Sequence, residues 1–256
     1  MKCPLFLSAI LAVALPLASL SVAAEKDSDA NLSEIWVMKI ERGKALAFET
    51  AFKLHLDNRK ESGDPRAWQT WTAVTGDELR HYYVRYCCFA WDELDRYEQW
   101  VTESKIMDDW RANVDQLVKG YEHHFARVDM ANSHWPEGEH EFAMVGISHY
   151  VPKMGSHQSL ERTKKTLSDA AKAMKWPYYW AWDSTVNGKP GLSLVVPYKN
   201  YAGMASSEQS FSEMLAKHLG SEKKATTLLN DWMNNFEAVH YEIYRWRKDM
   251  SMPMKE

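Results

Sequence analysis

The sequence predicts an α+β protein in which one β-α-β-β-α-β unit occurs twice, as a tandem repeat. Two observations predict this class. Residues 121–130 and 241–250 coincide without a gap at five positions, which hold Tyr, Glu, Arg, Asp and Met. The order of strand-like and helix-like segments before each stretch is also the same, and a repeated order of elements is the signature of a duplicated unit.

The first copy is predicted to be strand, helix, hairpin, helix, strand. Its first helix follows from apolar residues that recur with helical spacing, as in Leu46, Phe48 and Phe52. Its hairpin follows from two aromatic and β-branched runs joined by a short Thr-Gly-Asp-Glu loop. The predicted elements are a strand at 35–41, a helix at 44–60, strands at 67–74 and 80–90, helices within 91–118 and a strand at 120–129.

The second copy repeats this order. Asn187-Gly188 between two β-rich runs is a strong signal for a two-residue hairpin turn. The predicted elements are a strand at 141–151, a helix at 159–174, hairpin strands at 178–186 and 191–197, helices within 201–236 and a strand at 240–247.

The chain therefore divides into six segments. Pro136 and Gly138 in a polar setting predict a linker between the copies. The segments are a signal peptide (1–24), a flexible N-terminal segment (25–33), the first repeat (34–131), the linker (132–140), the second repeat (141–250) and a tail (251–256).

This order of elements is the ferredoxin-like one, in which two helices cover one face of a sheet and leave the other face bare. Aromatic residues make up 12 % of the chain and fall mainly on the predicted strands, so the bare faces need cover. Two such sheets packed face to face would bury them. We expect a pseudo-twofold α+β barrel with helices outside.

The duplicated order and the paired Tyr121-Glu122 and Tyr241-Glu242 strands resemble the dimeric α+β barrel superfamily in a tandem single-chain form. Trp68 and Trp71, matched by Trp180 and Trp182 on the second strands, add to the resemblance. It covers nearly the whole chain after residue 24. It implies a shared interior but no single activity, because the superfamily includes cofactor-free monooxygenases, haem-dependent chlorite dismutase-like enzymes and muconolactone isomerase-like enzymes.

The first 24 residues have the parts of a secretory signal: Lys2, an apolar run over 5–20, and small residues before Glu25. Cleavage near Ala24 predicts a periplasmic or secreted protein without a membrane span. A membrane anchor is the competing interpretation, but Pro16 interrupts the run.

The cysteine content and the net charge argue against a disulfide-stabilised protein and against a nucleic-acid-binding protein. After cleavage only Cys87 and Cys88 remain, and adjacent strand residues point to opposite faces, so we expect no ordinary disulfide between them. Two small side chains packed in a strand are favoured over a redox pair. The formal net charge of −4 excludes nucleic acid as an expected partner.

Aromatic, His and Arg side chains that share strand faces define a candidate pocket for a planar or acidic small molecule. The alternative is that these rings form the inter-sheet core. The candidate ligand-binding residues are His81, Tyr83, Arg85, His123, Trp68, Trp180 and Trp182.

No cofactor or metal is predicted. His123 and His124 are neighbours on a strand and face opposite ways, so they cannot simply hold one ion. Haem is the alternative, for which His55 or His218 would have to supply the axial ligand from a helix. Neither lies in a haem motif.

Three hypotheses for function follow. The leading one is an exported protein that binds a small molecule between its sheets. The second is a cofactor-independent monooxygenase or isomerase that uses His81, Arg85 or His123. The third is an interaction protein that forms homo-oligomers through exposed sheet edges. The first two predict a cavity between the sheets, and the third predicts a filled interior. The copies differ along their last strands, so we expect one asymmetric site, placed on the first copy's strands.

Overall fold

The computed structural model describes residues 30–136, 141–189 and 191–253. The predicted signal peptide, residues 25–29, the last four residues of the linker, residue 190 and the last three residues lie outside these ranges. Within them, no helix has the length and apolar character needed to cross a bilayer.

Both repeats have the predicted order of elements, with boundaries within about four residues of those expected. The first repeat contains β1 (Leu32–Ile40), α1 (Ala45–Glu61), β2 (Gln69–Ala73), β3 (His81–Phe89), α2 (Trp91–Ser104), α3 (Ile106–Asp109) and β4 (Val118–Val128). The second contains β5 (Met144–Pro152), α4 (His157–Ala173), β6 (Ala181–Thr185), β7 (Leu192–Tyr198), α5 (Phe211–Leu219), α6 (Glu222–Met233) and β8 (Phe236–Trp246).

Local sequence explains where the helices begin and end. The Ser210 hydroxyl accepts a hydrogen bond from the Glu213 N–H, and the Glu213 carboxylate accepts one from the Ser210 N–H, which caps α5. Gly220, at φ +62°, then ends this helix in the left-handed conformation. The Ser221 hydroxyl caps α6 in turn.

The eight strands form one closed barrel in the order β1-β3-β2-β8-β5-β7-β6-β4. The two repeats join where β2 pairs with β8 and where β4 pairs with β6. All pairs between neighbours are antiparallel, and β4 returns to β1. Every described strand therefore has a paired neighbour on both sides, although β2 meets β8 and β4 meets β6 over only three residue pairs each. Formation of homo-oligomers through sheet edges stays a prediction.

Strand alternation sends one set of side chains outward to the helices and the other set into the barrel. The outward set forms a separate core in each repeat. Trp68 packs in the first of these cores, and Trp180 and Trp182 pack in the second. A smaller apolar cluster around Ala73, Val145 and Tyr244 lies on the inward face.

The ends of the described chain differ from expectation. β1 begins at Leu32, so part of the segment predicted to be flexible is a strand. Met250, at the end of the second repeat, and Met252, in the predicted tail, are buried in the core of the first repeat. The Met252 N–H donates to the Trp68 carbonyl, which ties the end of the second repeat to the first.

The pairing of strands corrects the way in which the two copies were aligned. Bulges place Ile40 opposite Val118 and, in the second copy, Pro152 opposite Phe236. Equivalent positions on β4 and β8 are therefore 118 residues apart, which is two fewer than the five identities indicated. A two-residue offset keeps every side chain on the same face, so the pattern recurs although the register differs.

Candidate functional site

The barrel contains a partly open cavity of about 2360 Å³. Such a volume exceeds the roughly 300–1,000 Å³ of an ordinary ligand pocket. The presence of a cavity favours the two hypotheses that require one over the hypothesis of a filled interior. Inward side chains discussed below are Trp71, Tyr83, Arg85, His149, Asp183, Ser193, His240, Glu242, Tyr244 and Trp246.

Two tyrosine–carboxylate pairs meet at one end of the cavity. The Tyr83 hydroxyl donates a hydrogen bond to Glu78, and the Tyr244 hydroxyl donates one to Glu242. The two rings contact edge to face, with centroids 4.9 Å apart. Burial and the adjacent carboxylates raise the pKa of both phenols, so both keep their protons at neutral pH.

Glu78 remains ionised although it is partly buried. Burial alone would raise the pKa of Glu78, but the contacts with Tyr83 and His81 outweigh it and hold that pKa below its usual value. His81 Nδ1 lies 3.2 Å from Glu78 Oε2. This end of the cavity is therefore lined with negative charge and phenolic hydroxyl groups.

The loop between β2 and β3 lies over Glu242. A Cβ atom at Gly76 would come within 2.5 Å of Glu242 Oε1, and the residue has φ +87°. Both facts favour glycine at this position. The Thr75 hydroxyl also accepts a hydrogen bond from the Ile243 N–H, which fixes the loop against β8.

Two histidines complete this end. His149 on β5 lies directly opposite His240 on β8, and their rings stack with centroids 4.9 Å apart. His149 Nδ1 lies 3.2 Å from the Ser193 hydroxyl, and its Nε2 lies 3.4 Å from the Tyr244 hydroxyl and 3.9 Å from Glu242 Oε2. The donor atoms of His149, His240 and Glu242 all lie within 4.8 Å of one another.

A second polar pair, Arg85 and Asp183, lies on other strands of the same interior. Arg85 Nη2 and Asp183 Oδ2 are 3.9 Å apart, beyond hydrogen-bond distance. The other oxygen of Asp183 is buried, and no described residue makes a hydrogen bond with it. Burial raises the pKa of the Asp183 carboxyl, and the nearby Arg85 charge only partly opposes this.

The two repeats contribute different residues at equivalent positions. Val37 on β1 is equivalent to His149 on β5, because their pairing partners on β4 and β8 occupy equivalent positions. By the same correspondence Ala126 replaces Tyr244 and His124 replaces Glu242. The cluster of two histidines, a tyrosine and a carboxylate therefore occurs once among the described residues, and the interior is asymmetric.

The structure separates the predicted site residues into two groups. Tyr83 and Arg85 line the cavity, and His81 lies on the same face of β3. The side chains of Trp68, Trp180 and Trp182 instead face the helices. Trp180 and Trp182 do share a face, opposite Ala181 and Asp183, but that aromatic face packs against the helices and the other face lines the cavity.

His123 also faces away from the interior. Its ring stacks on Trp36 at a centroid distance of 3.9 Å, and its Nε2 lies 2.9 Å from Glu34 Oε1. His123 borders the cavity, but its ring belongs to the outer layer of the first repeat. Its neighbour His124 points inward, in agreement with the expectation that the two face opposite ways.

Sequence reasoning missed the second repeat's share of the site. His149, Asp183, Glu242 and Tyr244 carry most of the polar chemistry, whereas the first copy was expected to carry it. One signal was available: His240, Glu242, Tyr244 and Trp246 alternate along a single predicted strand and therefore share a face.

Haem was the alternative cofactor, and neither proposed axial histidine faces the cavity. His55 is buried in the helix layer, where its Nδ1 lies 2.7 Å from Asp109 and its Nε2 accepts a hydrogen bond from Arg59. His218 is exposed on α5. Neither residue fits the role of an axial ligand within the barrel.

Cys87 and Cys88 differ from expectation, since a disulfide joins them. The peptide bond between them is cis. Both residues border the cavity next to Arg85.

Several solved structures share this architecture. A protein from Lactobacillus acidophilus NCFM, provisionally assigned as a monooxygenase, matches with a TM-score of 0.54 and 7 % identity, over 88 % of this chain and 96 % of that one. An anthrone oxidase-like protein matches with a TM-score of 0.51 and 6 % identity, over 86 % and 92 %. A mutant chlorite dismutase from Candidatus Nitrospira defluvii matches with a TM-score of 0.51 and 4 % identity, over 87 % and 94 %.

These likenesses establish the fold. The chain has the dimeric α+β barrel fold, built here from two ferredoxin-like repeats. No protein-family model matches the sequence. No curated protein matches it significantly. At such low identities, function has to be argued from the residues of the cavity itself.

Proposed function

We propose that this chain binds a small planar molecule inside the barrel and holds its polar end with Arg85 and Asp183. The observation that supports the proposal is the buried Asp183 oxygen that lacks a hydrogen-bond partner among the described residues. Leaving a buried carboxylate oxygen unpaired costs about 1–3 kcal/mol or more. A ligand that donates a hydrogen bond there would remove this cost.

Arg85 determines the other half of the polar recognition. Its guanidinium lies too far from Asp183 for a hydrogen bond, so its donors remain available to an acceptor that enters the cavity. Arginine pairs well with carboxylates and other planar acceptors. The preferred ligand therefore carries an acceptor and a donor side by side, as a hydroxy acid does.

The surrounding walls suit the body of such a ligand. Trp71 and Trp246 stack with centroids 6.0 Å apart, and both border the cavity. Val195 and Ile147 add aliphatic surface nearby. Flat aromatic walls beside a small number of polar groups favour an aromatic ligand over a flexible chain.

Binding of 3-hydroxy-2-naphthoate, measured by calorimetry, tests the proposal. We expect saturable binding that Arg85→Gln weakens about tenfold or more, since a charge-assisted hydrogen bond contributes about 1.5–3 kcal/mol. Arg162→Gln, which changes an exposed arginine on α4, is the matched control and should leave affinity unchanged. The idea fails if neither this compound nor 2-naphthoate binds at about 1 mM, a weak limit for specific recognition.

A second candidate is an enzyme that transfers a proton through Asp183, as a cofactor-independent oxygenase or isomerase. The raised pKa of this carboxyl and its position in the cavity suit a general base. The ionised carboxylate would take a proton from carbon, and Arg85 would hold the enolate oxygen that forms. Structural likeness to proteins with oxygenase and oxidase descriptions is compatible with this role.

Exchange of the α-protons of 2-tetralone in D2O, followed by NMR, distinguishes the two candidates. An enzyme of this kind accelerates exchange over buffer, and Asp183→Asn removes the acceleration. If the protein only binds ligands, the α-protons exchange at the rate seen in buffer, both with the wild-type chain and with Asp183→Asn. Asp95→Asn, which changes an exposed carboxylate on α2, controls for general surface effects.

A further inference from the structure

We propose that His149, His240 and Glu242 form a binding site for a divalent first-row transition-metal ion, at the end of the cavity beneath the β2–β3 loop. Two imidazoles and one carboxylate converge there, and their donor atoms lie within 4.8 Å of one another. The site is separate from the Arg85–Asp183 pair and does not depend on the proposed ligand.

The measured separations suit shared coordination. Metal–nitrogen bonds of about 2.0–2.1 Å and metal–oxygen bonds of about 2.0–2.2 Å allow two ligands of one ion to lie up to about 4.2 Å apart. His149 Nε2 and Glu242 Oε2 are already 3.9 Å apart. The remaining separations involve His240, whose side chain is exposed, and they are at most 4.8 Å, so shared coordination requires a shift of about 0.6 Å or less.

Neighbouring groups orient the ligands. The Ser193 hydroxyl lies 3.2 Å from His149 Nδ1 and so leaves Nε2 directed at Glu242. Histidine ligands usually carry such a partner on the second ring nitrogen. The Tyr244 hydroxyl, 3.4 Å from His149 Nε2, lies close enough to become a fourth ligand or to bind a coordinated water.

The backbone also holds the set in place. His149 and His240 are directly opposed on paired strands, and Glu242 follows two residues later on the same face of β8. A site on paired strands is held more rigidly than one on loops. The Glu242 carboxylate is fixed further by the hydrogen bond from Tyr244 and by the close approach of Gly76.

The donor chemistry indicates which ions fit. Two imidazole nitrogens and one carboxylate suit Zn²⁺, Fe²⁺ or Co²⁺, whereas Ca²⁺ and Mg²⁺ prefer ligand sets made of oxygen. Three protein ligands leave coordination positions open, and these face the cavity. A bound ion would therefore be accessible to a small molecule inside the barrel.

The test is titration of the metal-free full chain, without a histidine tag, with Zn²⁺ and with Co²⁺. We expect one ion per chain with micromolar or tighter affinity, and visible Co²⁺ absorption bands that Zn²⁺ abolishes. His240→Ala and Glu242→Gln should each weaken Zn²⁺ binding at least tenfold. His240 is exposed, so its replacement leaves folding intact, which circular dichroism verifies.

His124→Ala is the matched control, since it removes a cavity histidine from the position on β4 that corresponds to Glu242. It should leave Zn²⁺ affinity unchanged. The proposal is overturned if the wild-type chain binds less than half an equivalent, or if His124→Ala and His240→Ala have the same effect. Arg85→Gln should not alter Zn²⁺ binding, so failure of the ligand proposal and failure of the metal proposal give different results.

Discussion

Arg247 binds Glu49 through two hydrogen bonds, from Nη1 to Oε1 at 2.7 Å and from Nη2 to Oε2 at 3.0 Å. Arg247 follows β8 of the second repeat, and Glu49 lies on α1 of the first. The corresponding position after β4 holds Asp129, which pairs with Lys164 on α4 at 2.7 Å. The equivalent positions after β4 and β8 therefore each form an ion pair with a helix of the other repeat, with opposite polarity.

Replacement of Arg247 should destabilise the barrel. The pair is bidentate, and about a fifth of each side chain is exposed, so we expect Arg247→Ala to lower the free energy of unfolding by about 1–2 kcal/mol. Arg247→Lys should recover part of the loss, because lysine keeps the charge but not the paired geometry. Urea unfolding measures both, and Arg96→Ala, in an exposed pair on α2, should change little.

Removal of Asp129 should cost more than removal of Arg247. Only 2 % of the Lys164 side chain is exposed, and without Asp129 its ammonium keeps Glu161 as its remaining carboxylate partner. Breaking a buried pair typically costs about 3–5 kcal/mol, and Glu161 reduces this, so we expect about 3 kcal/mol for Asp129→Ala. Lys164→Met should be milder, since it leaves no buried charge. Equal losses for the two variants in urea unfolding would contradict this account.

His55 should make the protein less stable in weak acid. Burial, followed by the nearby Arg59 charge, lowers the pKa of His55 to about 4, despite the contact with Asp109. An unfolded histidine has a pKa near 6.5, so the unfolded chain gains a proton first as pH falls. About 3 kcal/mol of stability should be present above pH 6.5 and lost by about pH 4. His55→Gln, with a neutral amide, should flatten this profile, as urea titrations between pH 4 and pH 7 would show.

Asp183→Asn should stabilise the ligand-free protein. The pKa of Asp183 is raised above the unfolded value, so ionisation of this carboxyl favours the unfolded chain as pH rises. Arg85 is the charged group that faces it and only partly compensates. We expect the urea midpoint of the Asn variant to exceed that of wild type at pH 7, and the difference to disappear near pH 3. A higher midpoint for wild type at pH 7 would show that Asp183 is paired in solution.

The architecture was predictable because both repeats carry independent local signals. Helical spacing around Phe48 and Phe52 and the Asn187-Gly188 turn each specify an element without reference to the rest of the chain. The closed barrel followed from the need to cover two aromatic sheet faces. Strand alternation also placed His81, Tyr83 and Arg85 on one face of β3, and two of them, Tyr83 and Arg85, line the cavity.

The composition of the site was less predictable, because it depends on pairings between distant residues. His149 and His240 are 91 positions apart in the sequence, and their contact arises from the register of β5 against β8. The unpaired oxygen of Asp183 likewise depends on how closely Arg85 approaches across the cavity. Neither relationship leaves a pattern in a single segment.

The asymmetric lining of the barrel has a genetic consequence. When a barrel of this type is assembled from two identical chains, every substitution appears at both symmetry-related positions. Here each position is encoded separately. His149 therefore does not require a histidine at the equivalent position, which holds Val37, and Tyr244 does not require a tyrosine at the equivalent position, which holds Ala126. Different parts of the barrel interior can therefore acquire different chemistry by independent point mutations, while the helices and ion pairs outside preserve a common framework.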